Sequence, residues 1–468
     1  MTRAPRVYLE TLGCEKNLVD SQAALGLLLG RGFVCADEPD GADLIVLNTC
    51  GFLQAARAES LDRIGELAQV KGSGKLVVMG CFIQGGTHSV QEIVPEVDHV
   101  LGVGQYRELA SLLDRKASAP PLADPSEAPY AGYGVRVLTG VAHVAHIKIA
   151  EGCNQSCAFC KIPMLRGKQR SRPVEDIVEE ARGLAARGVK EIILIAQNTS
   201  SYGIDLEGRP RLGQLCRALA RLEGIEWIRV LYAYPPMFTD RLVDEVYEIE
   251  NVVSYLDIPI QHASPRILEA MNRGYDPDDL RRRIERLRQK RPDIMLRSTV
   301  LLGFPGEQEE DVEMLLDFLA ELRFDHLGTF VYSREEQTAA YPLDETVDEA
   351  EKEDRRARVQ DLQWDLALAS KTSLLGRSLD VMVDEIFDDP GSAGLFDLPL
   401  EHGKDPRKGW AGRPVAFARS EGFCLEIDGG IWLPGEGLRP GDRTRVTPVA
   451  CGPYDVWAVP MEPPEGIA

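Results

Sequence analysis

No stretch of this 468-residue chain approaches the ~18 consecutive apolar residues that a membrane helix needs. The opening residues, MTRAPRVYLETLGC, also lack the apolar core of a secretory signal. Both absences point to a cytoplasmic protein with no membrane partner. Positive charge is in short supply: 53 Lys and Arg face 74 Asp and Glu, for a net charge of −21. That balance opposes tight non-specific binding to nucleic acid, which draws its affinity from neutralising phosphates. It favours a basic partner, and ribosomal proteins are the commonest basic partners in a bacterial cytosol; acidity also serves solubility alone. A reducing compartment leaves little room for structural disulfides, so the ten cysteines point to metal or redox chemistry. A single core is excluded by length, since ~150 residues per domain suggests about three domains.

What is present begins with short apolar strands alternating with amphipathic helices. Strands are predicted at RVYLETLGC, ADLIVLNTC, KLVVMGC and HVLGVGQ, with helices over NLVDSQAALGLLLGRG and 55–69. This pattern describes an open α/β domain with a mostly parallel sheet over 1–115. Cys14, Cys50 and Cys81 each fall just past the C-terminal end of a predicted strand. In an open α/β sheet those ends share the edge where ligands bind. Three thiols there suit a metal, although a single free cysteine more often serves as a small buried hydrophobe.

Residues 116–139 are rich in Pro, Ala and Gly and read as a linker. From 140 to 372 six strand-then-helix units follow, with strands at HIKIA, KEIILIAQ, WIRVLYAY, SYLDIPIQ, IMLRSTVLLG and HLGTFVYS. Pro173 is expected in the first turn of the helix after the first strand. Repeated β/α units argue for a parallel barrel, and six rather than eight for one that is laterally open. After a charged helix around 346–371, residues 373–468 carry short strands between Gly/Pro turns and read as a small β-barrel. That segment holds 16 acidic against 9 basic residues.

The first barrel strand runs into IAEGCNQSCAFC, which places Cys153, Cys157 and Cys160 on one loop at the barrel's C-terminal mouth. Thiolates suit zinc or iron–sulfur clusters. A structural zinc site is closed by a fourth protein ligand, and here none follows; the next cysteine, Cys216, falls inside a predicted helix. A cubane cluster on three thiolates leaves one iron free for something else.

C-x3-C-x2-C with aromatic Phe159 before the last Cys resembles the radical S-adenosylmethionine enzymes. In that superfamily the open iron chelates the amino and carboxylate groups of S-adenosylmethionine, and an electron from the cluster releases a 5′-deoxyadenosyl radical. The resemblance extends further. TLGCEKNLVDSQ, NTCGF and GCFIQ look like the N-terminal domain of the methylthiotransferase family, and IAEGCNQSCAFCKIPMLRGKQRSRP like its radical core. IAQNTSSYG, VLYAYPP, YLDIPIQHASPRILEAMNRGY and RSTVLLGFPGE look most like the RimO branch, which modifies an aspartate of the small-subunit ribosomal protein numbered twelve.

The implied fold is an N-terminal Rossmann-like α/β domain, an incomplete (β/α)6 radical SAM barrel and a small antiparallel C-terminal barrel of the TRAM type. The implied cofactors are two 4Fe-4S clusters, on Cys153, Cys157 and Cys160 and on Cys14, Cys50 and Cys81, together with S-adenosylmethionine. One S-adenosylmethionine would methylate sulfur at the second cluster. Another would be cleaved at the first, and its radical would take hydrogen from the β-carbon of the target aspartate. Side-chain acid–base catalysis cannot reach an unactivated C–H bond, so the hard step must be the cofactor's. The implied partners are the basic ribosomal protein, free or in the subunit, an electron donor such as flavodoxin or ferredoxin, and a sulfide source.

The same resemblance places Gln197, Asn198, Arg297 and Ser298 among the cofactor contacts. Strand-end capping is the alternative for Gln197 and Asn198. GFPGE at 303–307 would lie near the adenosine, while His262 reads equally as a structural histidine or a substrate contact. The basic run DDLRRRIERLRQKRP suggests RNA or a solvated helix face. Cys35, Cys216, Cys424 and Cys451 lack cluster spacing and read as structural. Two departures from the family bear on partner docking: Phe423, Cys424 and Leu425 replace its usual Asp-Ala-Pro, and 389–414 is a longer loop. A minor one is Gln22 where Glu is usual. Two rival readings remain at this level: a MiaB-type enzyme acting on modified adenosine in transfer RNA, which shares every cysteine, and a non-catalytic iron–sulfur or zinc module.

Overall fold

A computed structural model describes residues 3–86, 89–113, 120–127 and 133–461. Parts of the expected linker, and the segment after 461, lie outside the described residues.

Five parallel strands form the N-terminal sheet, in the order Val34–Cys35, Arg6–Thr11, Leu44–Thr49, Lys75–Gly80, His99–Leu101. The central strand, LIVLNT, is buried throughout, which is why it reads as an apolar run rather than an alternation. The edge strand Val34–Cys35 was not predicted; it is two exposed residues long and carries no periodicity. Helix Glu15–Leu29 starts at once after Cys14. Its Gly26 lets the chain pass close: a Cβ there would lie 2.1 Å from the Val135 carbonyl oxygen.

Six parallel strands then follow one another around an open barrel: Val144–Lys148, Glu191–Ile195, Trp227–Val230, Tyr255–Asp257, Met295–Leu302 and His326–Val331. Between the third and fourth the regular ladder gives way to the Ile228–Val252 bridge and to Tyr232 and Ala233 N–H groups donating to Asp257 at 2.8 and 2.9 Å. Alternate residues divide the strands' work. Ile192, Leu194, Ile228, Leu256 and Leu296 pack against the outer helices. Ile193, Ile195, Leu231, Tyr255 and Met295 face the other way, in one apolar cluster with Val19 and Ala23 of the first helix and Val381 and Ile431 of the C-terminal barrel. The two flanking domains therefore both pack into the concave face. Pro173 stands at the N-cap of helix Val174–Ala185 rather than within its first turn.

The C-terminal barrel closes five strands in the order Leu379–Phe387, Val415–Arg419, Ile431–Pro434, Val456–Pro460, Arg443–Cys451 and back to Leu379. His402–Gly403 adds to its edge. One pairing departs from the expected all-antiparallel barrel: Ile431–Pro434 and Val456–Pro460 run parallel. The strand Val456–Pro460 escaped sequence reading, and the turn after Cys451 returns it antiparallel to Arg443–Cys451. That direction leaves it parallel to its other neighbour.

A buried ionic chain fastens this barrel to the central one. Glu191 lies 2.8 Å from both Arg229 and Arg419, Arg419 reaches Asp384, and Asp384 accepts from His143 at 2.9 Å. The atypical Phe423, Cys424 and Leu425 are buried in the same joint, with the Phe423 ring 5.5 Å from that of His326. They are core, not a docking surface. The 389–414 loop folds back over the barrel, Leu395 and Trp410 packing with Trp432 and Trp457.

Candidate active site

The three-cysteine loop leaves the first barrel strand through Gly152, whose φ of +76° and surroundings admit only glycine. A Cβ there would lie 2.3 Å from the Lys168 carbonyl oxygen. The loop is held at both ends, by Cys153 N–H to Gly167 O at 3.1 Å and Ala158 N–H to Met271 O at 2.9 Å. Ala158 and Phe159 pack onto Leu301, Phe304 and Tyr332, at the C-terminal ends of the fifth and sixth strands. Backbone N–H groups of Gln155 and Ile162 donate to the Cys153 and Cys160 sulfurs, each at 3.4 Å. Arg273 lies 3.5 Å from the Cys157 sulfur and stacks on Tyr234. Burial raises the Cys153 thiol and pushes Cys160 up to about 12, so a bound metal would have to displace those protons.

The second trio converges at the C-terminal edge of the N-terminal sheet. Cys14 is exposed at the start of its helix, Cys50 is half-buried and Cys81 buried. Each has a glycine beside it that admits no side chain. A Cβ on Gly13 would lie 2.8 Å from Cys50 Cβ, one on Gly51 2.7 Å from the Cys81 carbonyl oxygen, and one on Gly80 2.3 Å from Asn48 Oδ1. Asn17 fixes this floor by donating to the Leu12 and Thr49 carbonyls at 2.9 and 3.1 Å. Burial raises Cys50 and pushes Cys81 up to about 11, against the pull of Arg166.

Arg166 ties the segment after the first trio to the second. It ends the short helix Ile162–Arg166 that follows Cys160, yet its Nε donates to the Cys81 sulfur at 3.2 Å. The same guanidinium reaches Asn17 Oδ1, Asp20 at 3.2 Å and Glu151 at 2.9 Å. Lys148 pairs with Asp20 at 2.6 Å and with Glu151, and Gln197 Nε2 donates to Glu151 at 2.8 Å. Burial opposes the charge on Glu151, but Arg166 and Lys148 hold its carboxyl far below the usual carboxylate range. Charges this deeply buried persist only when paired.

The other expected contacts divide. Gln197 has a buried Oε1 with no partner. Asn198 caps the turn Thr199–Ser201, accepting from Ser201 N–H. The Ser298 hydroxyl is fully buried and donates to the Ile258 carbonyl at 2.8 Å. Arg297 pairs with Asp428 of the C-terminal barrel at 3.1 Å, four residues before Leu301 and therefore ~13 Å lower along its strand. His262 Nδ1 accepts from the Ala263 and Ser264 N–H groups at 3.0 Å, a structural use. In the turn 303–307, Glu307 accepts from Gly303 N–H at 2.9 Å. The basic helix Pro277–Lys290 is neutralised by its surroundings, Arg286 and Lys290 by Asp244, and Arg281, Arg282 and Arg283 by Asp278 and Asp279. Cys216, Cys424 and Cys451 are buried, and Cys35 is exposed on its edge strand.

Sequence reading missed Glu151, Arg166 and Arg273. Glu151 and Arg166 had a signal, since both are charges flanking the cysteine loop inside otherwise apolar elements. Arg273 had none, because only the barrel's closure brings it near Cys157.

Among the described residues no three His, Cys, Asp or Glu side chains close on a single-ion site. The donor sets that do converge are two trios of thiols, the ligand type of iron–sulfur clusters. No helix among the described residues is long and apolar enough to cross a membrane.

Comparison with known proteins agrees with this geometry. Residues 147–319 match the Radical SAM superfamily, and residues 6–102 match a family described as Uncharacterized protein family UPF0004. A ribosomal protein uS12 methylthiotransferase RimO from Anaeromyxobacter sp. (strain Fw109-5) is 45% identical over 81% of this chain and 81% of its own. Proteins of the same name from Synechococcus sp. (strain JA-3-3Ab) and Synechocystis sp. are 40% and 38% identical, over 100% and 99% of this chain and 96% and 99% of their own. Among solved structures, the radical S-adenosylmethionine methyltransferase TsrM from Kitasatospora setae superposes with a TM-score of 0.55 at 16% identity, over 72% of this chain and 77% of its own. That likeness is one of fold. The chain belongs to the RimO family of radical S-adenosylmethionine methylthiotransferases.

Proposed function

We propose that this enzyme acts in the cytoplasm to replace a hydrogen on the β-carbon of an aspartate in ribosomal protein uS12 with a methylthio group. The observation that carries the reading is the pair of cysteine trios in one chain, with Arg166, six residues past Cys160, bonded to Cys81 of the other trio. A lone trio would suit many radical reactions; two trios in one chain suit a reaction that must both open a C–H bond and deliver sulfur to it.

Cys153, Cys157 and Cys160 are the proposed ligands of one 4Fe-4S cluster, and Cys14, Cys50 and Cys81 of a second. When bound with S-adenosylmethionine, these groups supply hydrogen-atom abstraction and the sulfur that replaces the hydrogen. The protein's own residues prepare the site. Arg273 beside Cys157 and Arg166 beside Cys81 offset thiolate charge. Gln197, held by Glu151, presents its free Oε1 as an acceptor for the amino group of S-adenosylmethionine. Asn198, Arg297 and Ser298 support that wall through the turn and strands they tie together. Packing of the first helix and the C-terminal barrel into the concave face excludes water.

A flavodoxin- or ferredoxin-type donor and a sulfide source would complete the reaction. The net charge of −21 suits a basic protein substrate. Mass spectrometry of uS12 after incubation with the reconstituted enzyme, dithionite, sulfide and S-adenosylmethionine tests the reading. A methylthio group on an aspartate is expected. A modified adenosine in transfer RNA, with unmodified uS12, would replace it with the MiaB-type activity.

A further inference from the structure

We propose that Lys16 binds the side-chain carboxylate of the substrate aspartate and thereby selects an acidic acceptor; the proposal rests on the uS12 reading above. Lys16 lies in the first turn of helix Glu15–Leu29, two residues after the exposed Cys14. It is 7% exposed, and its ammonium stands 3.1 Å over the ring of Tyr232. Its nearest carboxylate, Glu15, is 3.9 Å away, too far for a hydrogen bond.

Other buried lysines are better supplied. Lys148 has Asp20 at 2.6 Å, Lys352 has Glu349 at 2.6 Å, and Lys371 has the Asp325 carbonyl at 3.1 Å. Lys161 also lacks a close oxygen, but it faces Glu335 at 3.9 Å from behind Cys160, and Arg57 already holds that carboxylate at 2.6 Å. Lys16 alone among these sits beside the sheet-edge cysteines.

Tyr232 is built as its platform. The residue adopts φ +62°, a left-handed conformation that costs energy for a tyrosine. It is pinned at both ends: its N–H donates to Asp257 at 2.8 Å and its hydroxyl to Glu15 at 2.9 Å. Both carboxylates are thus engaged with the tyrosine, and its ring face steadies the ammonium without using any of its three N–H donors. A buried, oriented and under-bonded cation calls for an anion. In the target aspartate the carboxylate is bonded directly to the reacting β-carbon. An anion site beside Cys14 therefore places that carbon at the sheet-edge trio, where sulfur would be delivered. An uncharged base would accept a hydrogen bond from the same cation but lack the charge that makes the bond strong.

The test is a binding cycle on the reconstituted holoenzyme, using uS12 and uS12 whose target aspartate is replaced by asparagine. The wild type is expected to bind the aspartate form about tenfold more tightly, the worth of one charge-assisted hydrogen bond. Lys16→Met is expected to bring that ratio near one, and Lys16→Arg to keep it well above one. Iron content per chain is measured beside each titration, so that a misassembled Lys16→Met is recognised and the Lys16→Arg ratio then decides. An unchanged ratio in Lys16→Met with full iron, or a ratio near one in Lys16→Arg with full iron, overturns the proposal. A wild type that methylthiolates the aspartate yet binds both forms equally also overturns it, and leaves the functional reading standing. A wild type that modifies no aspartate of uS12 overturns that reading instead.

Discussion

The Arg166 guanidinium lies 3.2 Å from the Cys81 sulfur, although Arg166 follows Cys160 by six residues and Cys81 belongs to another domain. The side chain is buried and ties the radical core to the sheet-edge trio through Asn17, Asp20 and Glu151. Replacing it leaves two buried carboxylates, Asp20 and Glu151, to share Lys148 alone. Arg166→Leu is expected to cost about 3–5 kcal/mol of stability, the usual penalty for breaking a buried ion pair. It should also weaken cluster assembly at Cys81, so that iron after anaerobic reconstitution falls from about eight to about four per chain. Iron and sulfide analysis with denaturant unfolding checks both.

The two trios are expected to fail differently. Replacing Cys153, Cys157 and Cys160 by Ala should abolish 5′-deoxyadenosine formation while leaving about four irons on the other trio. Replacing Cys14, Cys50 and Cys81 should leave 5′-deoxyadenosine release measurable and abolish methylthio transfer. Chromatography of the nucleoside beside mass spectrometry of uS12 separates the outcomes.

Gln197 and Ser298 provide a contrast between a ligand contact and a support. Gln197→Ala removes the free buried Oε1 and should raise the KM for S-adenosylmethionine roughly tenfold, and losing its bond to Glu151 should also cost about 1.5–3 kcal/mol in unfolding. Ser298→Ala removes a hydroxyl bonded to the Ile258 carbonyl and should cost about 1 kcal/mol in unfolding, with KM unchanged. Steady-state kinetics and urea melts of both variants decide the matter.

The joint between the barrels has a predictable acid response. Burial disfavours the Glu191 charge, but Arg419 and Arg229 overcome it and hold the carboxyl at about 2. Because that value lies below the unfolded one, the contribution is fully present above about pH 4.5 and is lost as pH falls toward 2. Glu191→Gln should therefore destabilise the protein most at pH 5 and above. The gap to wild type should narrow on acidification, as read by unfolding midpoints across that range.

Much of this architecture is legible in the sequence because its elements satisfy local rules. Apolar runs such as LIVLNT and EIILI are buried on both faces and announce themselves without tertiary knowledge. The six cysteines were legible through position, each at a strand end or on one short loop. Val456–Pro460 was missed because it is one short run just past a Gly/Pro turn, and of its two barrel neighbours only Arg443–Cys451 is adjacent in sequence. Asn198, Arg297 and Ser298 were expected at the cofactor on the family resemblance. The structure gives them a turn to cap, Asp428 to neutralise and a strand carbonyl to satisfy. Sequence cannot separate those uses, since both need the same polar atom. Arg273 and Tyr232 depend on long-range closure and leave no local trace.

The most direct test of the account is mass spectrometry of uS12 treated with the reconstituted wild-type enzyme. One added methylthio group on a single aspartate is predicted, dependent on both cysteine trios. Unmodified uS12 from an enzyme that carries about eight irons and releases 5′-deoxyadenosine would contradict it.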